Sequence, residues 1–181
     1  MNQEVVLIKN LKNPKLKNKA FKDLLDIYQE RLYWHIRKIV ITHDNANDVL
    51  QETFIRIFNG INNFKEKSSL HTWMYRIAYN ESIRFLDKNK IKTSVSINQD
   101  NNAYLKNLTQ DIFFNGNELQ LKLNEIISEL SSKQQRVFQM KYFDDLSFHQ
   151  ISDILNISEN TLKSSYYSAV KTIEDKILAA C

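Results

Sequence analysis

The chain has 181 residues, of which 43% are apolar and 11% aromatic, enough for one hydrophobic core or two small ones and too many for wholesale disorder. Only two glycines and one proline are present, which excludes a strand-rich fold with many tight turns and predicts an all-α protein. The single cysteine, Cys181, excludes an internal disulfide. Because the sequence has no run of 18 apolar residues and no signal peptide, we expect a cytoplasmic protein without membrane insertion.

The charge is distributed unevenly along the chain. The net charge at pH 7 is +4, but residues 1–92 hold 17 Lys and Arg against 10 Asp and Glu, a net charge of +7. Residues 93–181 hold 8 against 11, a net charge of −3. A basic half can contact phosphates, because each neutralised phosphate releases counterions. A solvated basic surface explains the charge alone equally well.

Helical periodicity predicts three or more helices that share one core between about residues 18 and 90. The clearest pattern is in DNANDVLQETFIRIFNGI, and the segments before and after it repeat the spacing. The predicted core positions are Phe21, Leu24, Leu25, Tyr28, Leu32, Ile36, Val49, Leu50, Thr53, Phe54, Ile57, Phe58, Ile61, Leu70, Trp73, Met74, Ile77 and Ala78.

The pattern lapses in KTSVSINQDNNAYLKNLTQD, which is rich in Ser, Asn, Gln and Thr. This composition predicts a flexible linker over residues 92–117, between a domain at 1–91 and a second domain at 118–181. In the second domain, ELQLKLNEIISEL predicts an amphipathic helix, and SSKQQRVFQMKYF predicts the helix that follows it.

Two helix caps then predict a helix-turn-helix motif. Ser147 and Gln150 have the spacing of a capping box, in which the serine is the N-cap and the glutamine lies three residues later. Ser158 can cap the next helix, and Glu159 is favourably placed in its first turn. The short Asn-Ile-Ser corner between these two helices is typical of the motif.

The last predicted helix, 159–178, has two distinct faces. An apolar face contains Leu162, Tyr166, Ala169, Val170 and Ile173, and the opposite face contains Asn160, Lys163, Ser164, Tyr167 and Lys171. No acidic residue occurs between Asn160 and Thr172, whereas most solvated faces mix both charges. Small polar side chains let a helix approach base edges, and Lys and Tyr can reach phosphates or thymine methyl groups. These features favour DNA contact over an ordinary solvated face.

Two longer segments carry a family resemblance. The segment DVLQETFIRIFNGINNFKEKSSLHTWMYRIAYN resembles region 2 of sigma-70 family RNA polymerase sigma factors of the extracytoplasmic-function (ECF) class. The segment LNEIISELSSKQQRVFQMKYFDDLSFHQISDILNISENTLKSSYYSAVKTI resembles region 4 of the same class. Their order and separation agree with the family, and together they span about residues 18 to 178. The resemblance implies two small helical domains, a three- or four-helix region 2 and a helix-turn-helix region 4, acting in transcription initiation.

The resemblance implies a surface for the RNA polymerase core on the acidic helix of region 2, which in this family docks on the clamp helices of the largest subunit. The residues at the matching positions are Asp48, Gln51, Glu52, Ile55 and Arg56. The residues themselves give one independent indication, because Ile55 is apolar and lies off the predicted core stripe. A partner surface would explain this, although a single exposed isoleucine is also common.

The resemblance also implies that region 2 grasps the non-template strand of the −10 element. The implied residues are Phe64, Lys65, Lys67, Ser68, Ser69 and His71 in a loop and Tyr75, Arg76, Tyr79, Asn80 and Arg84 on the next helix. Aromatic rings can stack on unpaired bases, cations follow the backbone, and an amide offers a donor and an acceptor to a base edge. For the lysines and His71 a solvated loop remains the alternative, and Trp73 is expected in the core.

Region 4 is implied to read the −35 element as duplex DNA through the last helix. The implied residues are Asn160, Lys163, Ser164, Tyr167, Ser168 and Lys171. Ser165 and Ser168 depart from many family members, which have arginine at these positions. The chain therefore lacks two possible bidentate contacts to guanine or phosphate, and we expect weak intrinsic binding at the −35 element.

Neither catalysis nor a cofactor is predicted. His35, His43, His71 and His149 are isolated in the sequence, which contains no paired carboxylates, HExxH, CxxC or glycine-rich phosphate loop beside them. We expect surface or structural histidines, no metal site and no enzymatic activity.

The implied partners are RNA polymerase core, through the clamp helices and the flap region, and promoter DNA. An anti-sigma protein that covers both DNA-binding domains is a further partner that the resemblance suggests. No appended sensor domain is expected after region 4. Two alternatives remain: a helix-turn-helix regulator that binds duplex DNA without core, and an all-helical protein–protein adaptor.

Overall fold

The computed structural model describes residues 3–92 and 118–179, and every regular element in these ranges is helical. The chain divides into two compact units, Met1–Val95 and Ser96–Cys181. Unit 1 contains α1 (Gln3–Lys12), α2 (Lys17–Val40), α3 (His43–Gly60), a 3-10 turn (Ile61–Asn63) and α4 (Leu70–Lys92). Unit 2 contains α5 (Glu118–Ser128), α6 (Ser132–Tyr142), α7 (Phe148–Leu155) and α8 (Glu159–Ala179). The predicted all-α fold is confirmed.

The predicted linker lies almost wholly outside the described residues. Its first residue, Lys92, is the last residue of α4, and residues 93–117 are not described. The domain bounds 1–91 and 118–181 therefore stay predictions.

Unit 1 is built around α2, α3 and α4, each of which packs on the other two. The buried members of the predicted core are Leu24, Leu32, Ile36, Val49, Leu50, Thr53, Phe54, Ile57, Ile61, Leu70, Met74 and Ala78. The remaining members, among them Phe21, Phe58 and Trp73, are half-buried. Each fully buried Leu or Ile contributes roughly 1.5–3 kcal/mol relative to an exposed one, so this stripe is the main stabilising feature of the unit.

Helix α1 was missed by the sequence analysis, which placed the start of the first core near residue 18. It packs on α2 and buries Ile8 and Leu11. It also contacts the segment between the 3-10 turn and α4. A carboxylate oxygen of Glu4 accepts a hydrogen bond from the backbone amide of Leu70 at 2.7 Å, which supports the N-terminus of α4.

The junction between α2 and α3 is a tight turn at Ile41. This residue has φ 73°, and the amide of Thr42 donates to the carbonyl of Val40 at 2.9 Å, a γ-turn geometry that is rare for a β-branched residue. Thr42 is then the N-cap of α3, because its hydroxyl accepts from the amide of Asn45 at 3.3 Å.

Residues 118–179 of unit 2 contain two capping boxes. The predicted box is present: the Ser147 hydroxyl accepts from the Gln150 amide at 3.2 Å, and the Gln150 side chain accepts from the Ser147 amide at 2.7 Å. A second box, between Ser131 and Gln134, begins α6 and was not predicted. Such caps contribute about 1 kcal/mol each, so both helix starts are well defined by the sequence.

The predicted helix-turn-helix comprises α7 and α8. Asn156 ends α7 in the left-handed conformation (φ 56°, ψ 44°), and the Ser158 hydroxyl accepts from the Thr161 amide at 3.3 Å. On the other side of α7, Asp145 also has a positive φ of 55°. The apolar face of α8 packs on α5 and α6, where Ile126, Ile127, Leu130, Phe138, Ala169 and Ile173 form the core.

None of the described helices has the length and apolar character that crossing a bilayer requires. Within residues 3–92 and 118–179, no group of three or more His, Cys, Asp and Glu side chains is arranged to hold a metal ion.

Candidate nucleic-acid and partner-protein interfaces

Helix α3 has one buried and one exposed face. Its buried face contains Val49, Thr53 and Ile57. The exposed face contains all five residues of the predicted core-binding set, namely Asp48, Gln51, Glu52, Ile55 and Arg56. Ile55 is 48% exposed, so the helix presents an apolar side chain to solvent among charged and amide neighbours.

An open groove lies beside this face. It has a volume of about 500 Å³, and its lining includes Phe21, Leu25, Phe54 and Phe58 from α2 and α3 together with Gln51 and Ile55 of the exposed face. A mainly aromatic and aliphatic lining with a few amide groups suits the side chains of a partner helix better than a phosphate. The exposed face of α3 and this groove form one continuous surface.

A chain of ion pairs leads from α3 to α4. Arg56 Nε lies 3.1 Å from Glu52 Oε1 on its own helix and 2.8 Å from Glu81 Oε1 on α4. The same Glu81 oxygen lies 2.7 Å from Arg84 Nη1. The Glu81 side chain is only 8% exposed, whereas those of Arg56 and Arg84 are 45% and 50% exposed. The nearly buried carboxylate of Glu81 therefore pairs with two arginines whose side chains are about half exposed.

Two residues of the predicted −10 set require correction, because the structure buries Phe64 and Tyr75. The Phe64 ring packs on Trp73 with a centroid distance of 5.0 Å, and the Tyr75 ring packs on His35 at 4.9 Å. Helix α4 contacts both α2 and α3, so its buried face is wider than one apolar stripe and includes Tyr75. Neither ring is available to stack on a base in this conformation.

The rest of the predicted −10 set stays near the surface. Lys65, Lys67, Asn80 and Arg84 are exposed, and Ser68, Ser69, His71, Arg76 and Tyr79 are half-buried. Ser69 also has a structural role, because its hydroxyl accepts from the amide of Thr72 at 3.1 Å in the first turn of α4. Trp73, expected in the core, is half-buried and lies 3.4 Å from the position that a Cβ at Gly60 would occupy.

Lys12, the last residue of α1, contacts this loop and was not predicted from the sequence. Its amine donates to the Phe64 carbonyl at 3.0 Å and lies 2.6 Å from Glu66 Oε1. Glu66 has a φ of 57°, so the ion pair lies at a turn with a left-handed residue. No sequence signal connects these residues, since 54 positions separate Lys12 from Glu66.

Helix α8 exposes all six residues of the predicted −35 set: Asn160, Lys163, Ser164, Tyr167, Ser168 and Lys171. Tyr167 is 62% exposed. Two of the six have partners within unit 2, since the Lys163 amine lies 3.5 Å from Glu159 Oε2 and the Ser168 hydroxyl accepts from the Gln134 side chain at 3.0 Å. Both contacts are at the surface and can exchange for contacts to DNA.

An aromatic cluster adjoins this stripe and was not predicted. The Phe148 ring of α7 lies 5.6 Å from Tyr166 and 6.4 Å from Tyr167, and the Lys163 amine lies 5.9 Å from the Phe148 centroid. Burial raises the pKa of Tyr166, with smaller contributions from Tyr167 and Tyr142. A tyrosine hydroxyl is already protonated at neutral pH without this shift, so Tyr166 adds no negative charge beside the stripe.

Two family models match the chain. Sigma-70 region 2 matches residues 24–91, and Sigma-70 region 4 matches residues 120–173. Together they cover about two thirds of the sequence, one in each unit. The first includes the exposed face of α3, and the second includes the exposed stripe of α8.

Full-length relatives agree with these models. The chain is 27% identical over 183 residues to the ECF RNA polymerase sigma factor SigW of Bacillus subtilis, an alignment that covers 96% of this chain and 98% of that protein. It is also 27% identical over 167 residues to the ECF RNA polymerase sigma-E factor of Haemophilus influenzae, which covers 88% of each chain.

Solved structures with the same fold have lower sequence identity. CnrH, solved in complex with the cytosolic domain of CnrY, superposes with a TM-score of 0.68 at 15% identity and covers 98% of this chain and 99% of that one. The sigma factor RpoE of Bartonella quintana, solved with the anti-sigma factor NepR, gives a TM-score of 0.65 at 18% identity over 87% and 96% of the two chains.

The two region models and the full-length relatives thus confirm the resemblance that the sequence motifs indicated. The chain belongs to the sigma-70 family and is an ECF sigma factor, a transcription initiation factor.

Proposed function

We propose that unit 1 binds RNA polymerase core through the exposed face of α3. The observation that carries this proposal is Ile55, an apolar side chain that is 48% exposed and lines the groove beside α3. Asp48, Gln51, Glu52 and Arg56 surround it with polar groups that can set the orientation of a docked helix. The clamp helices of the largest polymerase subunit are the proposed partner, as the family resemblance implies.

Unit 1 also captures the non-template strand of the −10 element in this proposal. With Phe64 and Tyr75 excluded by their burial, the residues that remain are Lys65, Lys67, Ser68, Ser69, His71, Arg76, Tyr79, Asn80 and Arg84. The lysines and arginines follow the backbone, and Tyr79 and His71 are the rings left to stack on a base. Asn80 offers its amide to a base edge.

Unit 2 reads the −35 duplex through the exposed stripe of α8. Lys163 and Lys171 contact phosphates, while Asn160, Ser164, Tyr167 and Ser168 approach the bases. The flap region of polymerase is the proposed partner of this unit. The proposed domain bounds are residues 1–91 and 118–181, with a linker at 92–117.

The remaining features of the proposal follow from this role. The protein acts in the cytoplasm, where its polymerase and promoters are, and it performs no catalysis of its own. An anti-sigma protein is a proposed regulator, since the solved structure of Bartonella quintana RpoE contains one.

Reconstituted transcription tests the proposed function. Purified full-length chain is added to purified core polymerase and genomic fragments, and the start sites are mapped. We expect initiation from defined sites that requires both the chain and core. The absence of specific initiation on every fragment would contradict the proposal, and core without the chain is the control.

A further inference from the structure

We propose that Glu81 is a positioning residue that orients one arginine of the core-binding surface and one arginine of the strand-binding surface. The inference rests on the proposed function, because it takes Arg56 as part of the first surface and Arg84 as part of the second. It adds a residue that belongs to neither surface. Glu81 is almost fully buried and lies between them.

The geometry places both arginines on a single oxygen atom. Glu81 Oε1 lies 2.8 Å from Arg56 Nε in an ion pair and accepts a hydrogen bond from Arg84 Nη1 at 2.7 Å. Arg56 comes from α3 and Arg84 from α4, so the carboxylate joins two helices as well as two surfaces. The Arg84 contact is a charge-assisted hydrogen bond, a class about twice as strong as neutral hydrogen bonds, and the Arg56 contact is a close ion pair.

The burial of Glu81 explains why its carboxylate pairs with both cations. A buried ionised group is unfavourable unless it is paired and hydrogen-bonded, and here two guanidinium groups supply that pairing from the solvent side. Each arginine is about half exposed and has five donors in a planar arrangement. The contact with Glu81 restricts each guanidinium to fewer orientations than a freely rotating arginine would sample.

Without the Glu81 charge, the two arginines lose their common anchor in different ways. Arg56 can still pair with Glu52, 3.1 Å from its Nε on the same helix, but it is released from α4. Arg84 loses its partner within α4. Both surfaces therefore weaken together after one substitution that touches neither partner, and the loss at each surface depends on the arginine that belongs to it.

Double-mutant cycles on the full-length chain test this dependence. Core affinity is measured by fluorescence anisotropy of labelled chain with purified core. Strand capture is measured as holoenzyme affinity for a mapped promoter fragment whose −10 region is pre-melted by mismatches. We expect Glu81→Gln to lower both affinities about tenfold, within the range of measured couplings between contacting residues. In an Arg56→Ala background it should cause no further loss of core affinity, and in an Arg84→Ala background no further loss of strand capture.

A matched control distinguishes an effect of the position of Glu81 from an effect of losing one negative charge. Asp87→Asn removes one negative charge from an exposed site on the same helix, and we expect both affinities to stay within twofold of the unmodified chain. An equal loss in the control would overturn the proposal, because net charge would then explain the effect.

The remaining outcomes also have defined consequences. Losses from Glu81→Gln that persist undiminished in both arginine backgrounds would show a general structural effect and overturn the inference. So would a loss at one surface only. If Glu81→Gln fails to fold, the same cycles are run with Glu81→Asp, which keeps the charge on a side chain too short to reach both arginines. Failure of the unmodified chain to bind core would contradict the proposed function instead.

Discussion

Asn80 is exposed on α4, next to the buried Glu81 and four residues before Arg84. Its amide side chain can donate to and accept from one base edge at the same time. Lysine and arginine side chains nearby supply attraction to the backbone, which does not depend on sequence. Within the proposed strand-binding set, Asn80 is therefore the residue best suited to recognise a base.

Replacing this amide tests the assignment. We expect Asn80→Ala to lower promoter opening about tenfold, the discrimination expected from one good base contact, and to leave core affinity unchanged. Permanganate reactivity of unpaired thymines in the −10 region measures opening, and anisotropy with core measures binding. Asn18→Ala, at an exposed position of α2, is the control. An equal fall in core affinity would show that Asn80 acts through the fold.

At the scale of secondary-structure elements, α1 supports the loop that carries part of the proposed strand-binding set. It supplies Lys12, which holds the Phe64 carbonyl and Glu66, and Glu4, which accepts from the Leu70 amide. Both ends of the segment between the 3-10 turn and α4 are thus connected to a helix at the start of the chain. Leu11, fully buried, fixes that helix on unit 1.

Replacing Leu11 by alanine measures how much the packing of α1 stabilises unit 1. We expect Leu11→Ala to lower the free energy of unfolding of unit 1 by about 2–5 kcal/mol, as for other buried leucines. Both tryptophans of the chain, Trp34 and Trp73, lie in unit 1, so their fluorescence in a urea titration reports this unit selectively. Leu16→Ala, 42% exposed in the native state, should change the unfolding free energy by less than about 0.5 kcal/mol. A change in unfolding free energy for Leu11→Ala as small as the one for Leu16→Ala would mean that α1 is not part of the cooperative core.

The sequence predicted the helices whose own residues carry a clear pattern. The stripe from Val49 to Ile61 and the Ser147 capping box were visible because period and cap chemistry are local properties. Helix α1 was missed because it has only two buried residues and its polar contacts are with positions more than 50 residues away. The burial of Tyr75 and the position of Glu81 depend on α4 packing against two helices at once, which no local pattern reveals.

At the scale of the whole molecule, the net charge differs between the two halves of the chain, each of which carries a proposed DNA-binding surface. Residues 1–92 have a net charge of +7 and residues 93–181 a net charge of −3. The α8 stripe has two lysines and no arginine, so unit 2 alone has little electrostatic attraction for DNA. Polymerase can compensate, because a tethered unit meets its site at a high effective concentration.

Core polymerase should therefore control the affinity for promoter DNA. We expect the holoenzyme to bind a mapped promoter at least about 100-fold more tightly than the free chain binds the same duplex, the scale of gain from linked sites. Gel-shift titrations at one fixed salt concentration compare the two, with core alone as the control. Equally tight, sequence-specific binding by the free chain would favour the alternative of a regulator that acts without core.

The left-handed backbone conformation of Asp145, just before α7, has a consequence for the thermal stability of unit 2. Asp145 has a φ of 55°, where an L-residue carries a cost of about 1–2 kcal/mol that glycine avoids. Its side chain is exposed and lies outside both proposed DNA-binding sets. Ile41 has a similar φ, but its half-buried side chain contributes packing that glycine would lose. Asp145 is thus a site where a glycine could raise the thermal tolerance of unit 2 while leaving its promoter contacts unchanged.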